Sequence, residues 1–277
     1  MKKTYKKVLD LTIVSIIILN ILMLLSCSEN HESGGEKNLP QKTTKIDGYT
    51  DLEIINKVLE TLALEDAYYV ETTGETAAKC VINYTQTTNT GVYFKDNKFY
   101  NDIASNSSLV NHTHQLLVDG SRVYYYDSDK KDEGLIREDL ENYRKVYGVV
   151  PSHDGVFHYV ISENNIISSK RSFTENELMI TYTLKPDQST ENIRKQMKVF
   201  GGLVEEPTYE SVELTIYIDE AFKLLSFRNN EKYKIVKKVP LLGKTTMNCT
   251  QTLYSKIYYT GYDEPDISMF NDLKTIN

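Results

Sequence analysis

Among side chains able to do chemistry, two histidines stand closest together, in His112-Thr-His114. On a strand, positions i and i+2 share a face. Both rings would then lie side by side, an arrangement that can bind a metal. No cysteine, third histidine or carboxylate follows at a recognised metal-ligand spacing, so exposed loop positions account for the pair better and no metal is assigned. His31, His153 and His158 are isolated. The run Asp127-Ser-Asp129-Lys-Lys-Asp132-Glu-Gly134 has acids spaced as at the start of a calcium loop. It departs at the third ligand position and its glycine is displaced, which leaves a solvated acidic turn. No Gly-x-Ser-x-Gly, Ser-x-x-Lys, His-Glu-x-x-His, P-loop or dinucleotide fingerprint is present. No catalytic residue and no cofactor is therefore assigned, and the chain reads as a non-enzyme.

Three cysteines remain to be placed. Cys27 closes the stretch Leu24-Leu25-Ser26-Cys27, behind four lysines in Met1–Lys7 and an apolar run from Leu11 to Leu25. A basic start, a short apolar run and a small residue before a cleavage point make a secretory signal, and the run is short for a spanning helix, which needs about 20 apolar residues. The four closing residues resemble the lipobox of bacterial lipoproteins. That resemblance implies cleavage after Ser26, a diacylglyceryl thioether on Cys27 and a membrane anchored through it, in the extracytoplasmic bacterial envelope. Cys80 and Cys249 are then an even pair outside the cell, open to a disulfide or to two buried thiols.

Composition agrees with export. The chain carries a formal charge of −7; residues 1–26 hold four lysines and one aspartate, so the remainder stands at −10. An acidic surface argues against nucleic acid or anionic lipid as the main partner. The 21 tyrosines, with no tryptophan, favour strands.

The elements follow in order. Residues 1–26 read as the signal peptide and 27–48 as the lipidated cysteine and a flexible tether, too polar to bury surface. Residues 49–277 read as one domain. Thr50 and Glu53 make a capping-box pair ahead of Ile55, Val58, Leu59 and Leu62, so an amphipathic helix is expected over 51–64. From Ala67 onward apolar and polar residues alternate repeatedly, as in Leu178–Leu184 and Val212–Ile218. Asp119-Gly120 between alternating runs signals a hairpin. Eight to eleven mainly antiparallel strands are expected, Val156–Ile161 among them, with further helices over Leu135–Tyr147 and Thr190–Phe200.

The capped helix, the meander and the late helix resemble the LolA/LppX-like half-barrel lipoproteins. The likeness lies nearest in Val212–Asp219 with Phe222–Leu225, and in the closing Tyr258–Ile267. It implies an α+β, mainly β fold: a strongly curved antiparallel sheet, an incomplete barrel, with two or three helices covering its concave side. It further implies an apolar cavity between sheet and helices that holds a lipid or other amphiphile, the competing reading being a packed core. Ile82, Tyr84, Phe94, Ile180, Tyr182, Leu214 and Ile216 are the expected lining, with Ile55, Leu59 and Leu62 as a lid. The alternative function is a surface scaffold that meets an envelope protein through exposed Tyr124, Tyr125, Tyr126, Tyr258 and Tyr259.

Overall fold

The computed structural model describes residues 46, 48–80, 83–106, 111–173, 177–200, 202–239 and 243–270. The signal peptide, Cys27 and Ile82 lie outside them, and Tyr84 is described by its backbone alone. Residues 44–277 group as one compact unit. Among the described residues no helix is long and apolar enough to cross a membrane.

The first helix, α1 (Asp51–Ala63), begins where the capping box places it. The Glu53 amide donates to Thr50 Oγ1 at 3.3 Å and the Thr50 amide donates to Glu53 Oε2 at 2.7 Å, so two of the helix's orphan donors are satisfied. Ile54, Ile55, Val58 and Leu62 are buried beneath it, worth roughly 1.5–3 kcal/mol each in transfer terms.

Eleven strands follow: β1 (Ala67–Lys79), β2 (Tyr84–Lys95), β3 (Lys98–Asn106), β4 (Asn111–Asp119), β5 (Arg122–Asp127), β6 (Leu135–Asp139), β7 (Ile166–Phe173), β8 (Leu178–Leu184), β9 (Thr208–Ile218), β10 (Leu224–Val239) and β11 (Gly243–Tyr258). They form one antiparallel, curved, unclosed sheet in the order β6-β5-β4-β3-β2-β1-β11-β10-β9-β8-β7. Two meanders therefore meet at β1 and β11. The tight β2–β3 connection carries Asp96 and Asn97 at positive φ, which matches the right-handed twist of a hairpin.

Between β6 at one edge and β7 at the other, the chain crosses the inner face of the sheet. The crossing starts with α2 (Leu140–Tyr147) and continues through residues 148–165. A later helix, α3 (Glu191–Phe200), packs beside α2. The main core gathers α1, the inner faces of β8–β11 and Val156, Phe157 and Tyr159 of the crossing. A second cluster joins Leu116, Tyr125, Tyr143 and Tyr147. A third, with Phe270 at its centre, covers the outer face at Tyr93, Tyr100, Leu117 and Tyr124.

Three expectations are corrected. The helix over Leu135–Tyr147 is helical only from Leu140; Leu135–Asp139 pairs with β5 instead, and the Asp139 carboxylate caps the shortened helix through the Glu141 amide. Val156–Ile161 is turn and coil, because Gly155 opens a turn and His158 sits at φ 65. Its two-sided apolarity reflects insertion under the sheet, with Phe157 edge-on to Phe227 at 5.2 Å. Ile46, assigned to the tether, is only 1% exposed and belongs to the core. Of the two readings left open for Cys80 and Cys249, this structure has the thiols, Cys249 buried and Cys80 half-buried. Cys249 faces Ala78 across β1–β11, and burial pushes its thiol up to about 12.

Candidate functional site

A cavity of about 200 Å³ lies between the inner face of the sheet and the elements laid across it. The alternation of β1–β4 points Val70, Thr72, Thr90, Asn101, Ile103 and His112 into it, and β10 and β11 add Tyr233, Ile235 and Gln251. The opposite wall comes from the crossing, Val149 to His158, and from Ile193, Met197 and Phe200 of α3. The wall is thus apolar on the helix side and threaded with hydroxyls and amides on the strand side. Several strand-side groups satisfy one another: Thr72 and Ser255 share a hydrogen bond of 2.7 Å, and the Gln251 amide donates to Thr76 at 2.8 Å. Asn101 Oδ1 is buried and has no partner.

Of the expected lining, the five residues with described side chains are not on this wall. Ile180, Tyr182, Leu214 and Ile216 are 0% exposed in the main core. The Tyr182 hydroxyl donates to the Asp51 carbonyl at 3.1 Å, so α1 sits directly over this part of the sheet. Phe94 is buried beside the cavity rather than in it, against Tyr68, Phe99 and His153. Of the expected lid, Ile55 and Leu62 are buried and Leu59 is half-buried. Arg171 holds this helix in place, its Nε donating to Asp51 Oδ1 at 2.6 Å and its Nη2 to the Tyr49 carbonyl at 2.7 Å. Alternation identifies an inward face but not which stretch of it another element covers. The cavity lies mainly over β1–β4, where many inner positions are threonine, asparagine or glutamine and leave space a leucine would fill.

The tyrosines expected on the surface are also redistributed. Tyr124 and Tyr125 are 7% and 3% exposed, and Tyr126, Tyr258 and Tyr259 are half-buried.

At the end of the cavity near α3, the histidine pair departs from its expected exposed loop. His112 and His114 sit on β4 and are 3% and 0% exposed. Their rings are nearly parallel, 11° apart, with centroids 6.2 Å apart. The hairpin pairs His114 with Asp127 at the end of β5, and Asp127 is buried too. Asp127 Oδ1 lies 3.8 Å from His112 Nδ1, and Oδ2 lies 4.0 Å from His114 Nδ1. The Asp129 carboxylate, on the 3-10 turn Ser128–Glu133, lies 3.3 Å from His112 Nδ1. The Tyr143 hydroxyl engages His114 Nε2 at 2.7 Å. Phe200, Tyr125 and Tyr147 pack around the rings. Burial pushes the His114 pKa down to about 3, with His112 and Lys130 adding to the effect. The signal for this grouping was in the sequence: a two-residue turn at Gly120-Ser121 fixes the register that sets His114 opposite Asp127.

A second buried group lies deeper. Glu231 of β10 is 3% exposed, and its Oε1 accepts a hydrogen bond from the Tyr159 hydroxyl. Burial pushes this carboxyl up to about 7, although the hydrogen bonds from Tyr159 and Tyr209 act to lower it.

No family model matches this chain, and no curated protein matches it. Solved structures do align with it. The LolA superfamily protein NE2245 from Nitrosomonas europaea is 11% identical, covers 81% of this chain and 99% of its own length, and gives a TM-score of 0.31. A domain described as a putative outer membrane lipoprotein-sorting protein, from Vibrio parahaemolyticus, is 11% identical over 80% of this chain and 97% of its own, with a TM-score of 0.30. The ywiB protein from Bacillus subtilis is 12% identical over 71% and 96%, with a TM-score of 0.20. Scores this low carry nothing about function, so the fold stands on the chain's own sheet order and the site on its own geometry.

Proposed function

We propose that this chain is a lipid-anchored, non-catalytic protein of the bacterial envelope that binds an amphiphile between the inner face of its sheet and the crossing-plus-α3 wall. The observation that carries this reading is the 200 Å³ cavity, apolar on one side and polar on the other. A wall of that kind fits an acyl chain lying against Ile193, Met197 and Phe200 with polar atoms toward Thr72, Thr90 and Asn101. The unclosed sheet adds to it: among the described residues neither β6 nor β7 has a partner on its outer side, so the space between sheet and α3 can widen without breaking a closed ladder. Apolar burial would drive binding at about 25 cal/mol per Å², which gives affinity for chains and little selectivity among head groups. The anchor rests on the Leu24–Cys27 stretch.

The test is native mass spectrometry of the chain purified from its own envelope, followed by extraction and lipid analysis. A stoichiometric amphiphile is expected, with occupancy reduced at least 10-fold in Ile103→Glu, a change on the cavity wall. A bare protein that takes up neither offered lipids nor an apolar dye overturns the reading.

A further inference from the structure

The cluster at the β4–β5 hairpin is unused by the amphiphile reading, and its chemistry is that of a metal site. Asp127 is a buried carboxylate facing two buried imidazoles, yet no hydrogen bond joins them. His112 Nδ1, His112 Nε2 and His114 Nδ1 are buried without a hydrogen-bond partner. Leaving three such nitrogens in one place is costly, and buried carboxylates are ordinarily paired or bound to a cation. The arrangement of His114 sharpens the point. Its Nε2 is taken up by the Tyr143 hydroxyl. Its Nδ1 has no hydrogen-bond partner and faces Asp127 Oδ2 at 4.0 Å, too far for a hydrogen bond and with room for a cation between them.

We propose that His112, His114 and Asp127 bind one divalent transition-metal ion of the zinc type, with Asp129 supplying a fourth oxygen. One ligand atom from each of the first three lies within 4.8 Å of the others. The Asp129 contact is 3.3 Å and the two Asp127 separations are 3.8 and 4.0 Å. Neighbouring ligands around a tetrahedral zinc with bonds of ~2.1 Å are ~3.4 Å apart, so the measured separations stand near that spacing and the side chains would draw in around the ion. Two imidazoles and two carboxylates suit zinc and its first-row neighbours, and the donor set lacks the six or more oxygens calcium prefers. Tyr143 would orient His114 in the way outer-shell partners orient metal ligands. Asp129 is 65% exposed, which gives the ion a way in from solvent. The ion would tie β4, the end of β5 and the 3-10 turn together beside Phe200, at one end of the cavity.

The test uses the full-length chain, purified in detergent with a histidine-free affinity tag and stripped with a chelator. Zinc uptake is measured by elemental analysis after equilibrium dialysis, and Co²⁺ is used as a spectroscopic substitute. One zinc per chain is expected, together with visible Co²⁺ ligand-field bands and a rise in Tm on zinc addition. His112→Gln and Asp127→Asn should each weaken binding at least 10-fold, with far-UV circular dichroism unchanged, while His153→Gln, outside the cluster, binds as the parent does. If the parent chain takes up no zinc, the proposal fails without reference to any variant. It fails equally if uptake persists in a folded His112→Gln chain, which would place the metal elsewhere. Amphiphile occupancy is read separately, so loss of either result leaves the other standing.

Discussion

At the scale of single residues, Glu231 is the position where burial works against ionisation. Its carboxyl is held near 7 in the folded chain against an ordinary value of 4.5. Below about pH 4.5 the group is protonated in both states. Between 4.5 and 7 the folded chain keeps a proton that the unfolded chain has released, so stability falls as pH rises through that window. The effect is roughly 3 kcal/mol over the window, and it is lost in full above about pH 7. Glu231→Gln keeps the shape and stays neutral, so the urea midpoint of the parent relative to that variant should fall from pH 4.5 to 7, a difference in which the opposite contribution of the buried neutral His114 and His158 cancels. A difference that stays constant over the same range would show that Glu231 titrates alike in the folded and unfolded chains. His112 and His114 teach a complementary lesson. Each is unremarkable as a residue in the sequence, and only the hairpin register gives the pair a carboxylate.

Among the elements, α2 and α3 meet closely at Gly148. Gly148 ends α2 at φ 78, a region that strains any residue with a Cβ. A Cβ there would also lie 2.5 Å from the Asn192 carbonyl and 2.9 Å from Lys195 Cβ on α3. Gly148→Ala is therefore expected to cost at least ~1 kcal/mol and to move α3, which forms one wall of the cavity. Chemical denaturation measures the first effect, and dye uptake measures the second. An unchanged midpoint would mean that the two helices can separate freely. Element boundaries were legible in the sequence where a local signal set them, as with Thr50 and Glu53 at the start of α1. They were not legible at Leu135–Asp139, where the need of β5 for a partner outweighed the helical spacing of the residues that follow.

In the whole molecule, the close-packed core and the cavity are centred on different parts of the sheet. The β8–β10 side carries α1 and the close-packed Ile180, Tyr182, Leu214 and Ile216, while the β1–β4 side carries the cavity and the histidine cluster. Ile216→Ala should thus lower stability by about 2–5 kcal/mol, measured by calorimetry. The refolded fraction should hold amphiphile as well as the parent. If Ile216→Ala lost ligand while keeping its Tm, the division of labour between the two parts would be wrong.

The sequence by itself determined the class of this protein: a capped amphipathic helix, a long antiparallel series and an inward face for each strand. Those features depend on neighbours within a few residues, through hydrogen bonds, turn geometry and the two-residue period of a strand. Which inward residues became core and which became cavity wall was decided only by the tertiary structure. That outcome depends on where α1, the crossing and α3 come to rest over the sheet, and their contacts join residues far apart in the chain. Leu214 and Thr90 obey the same alternation. One lies within the core that α1 helps to build and the other faces the open space beneath α3.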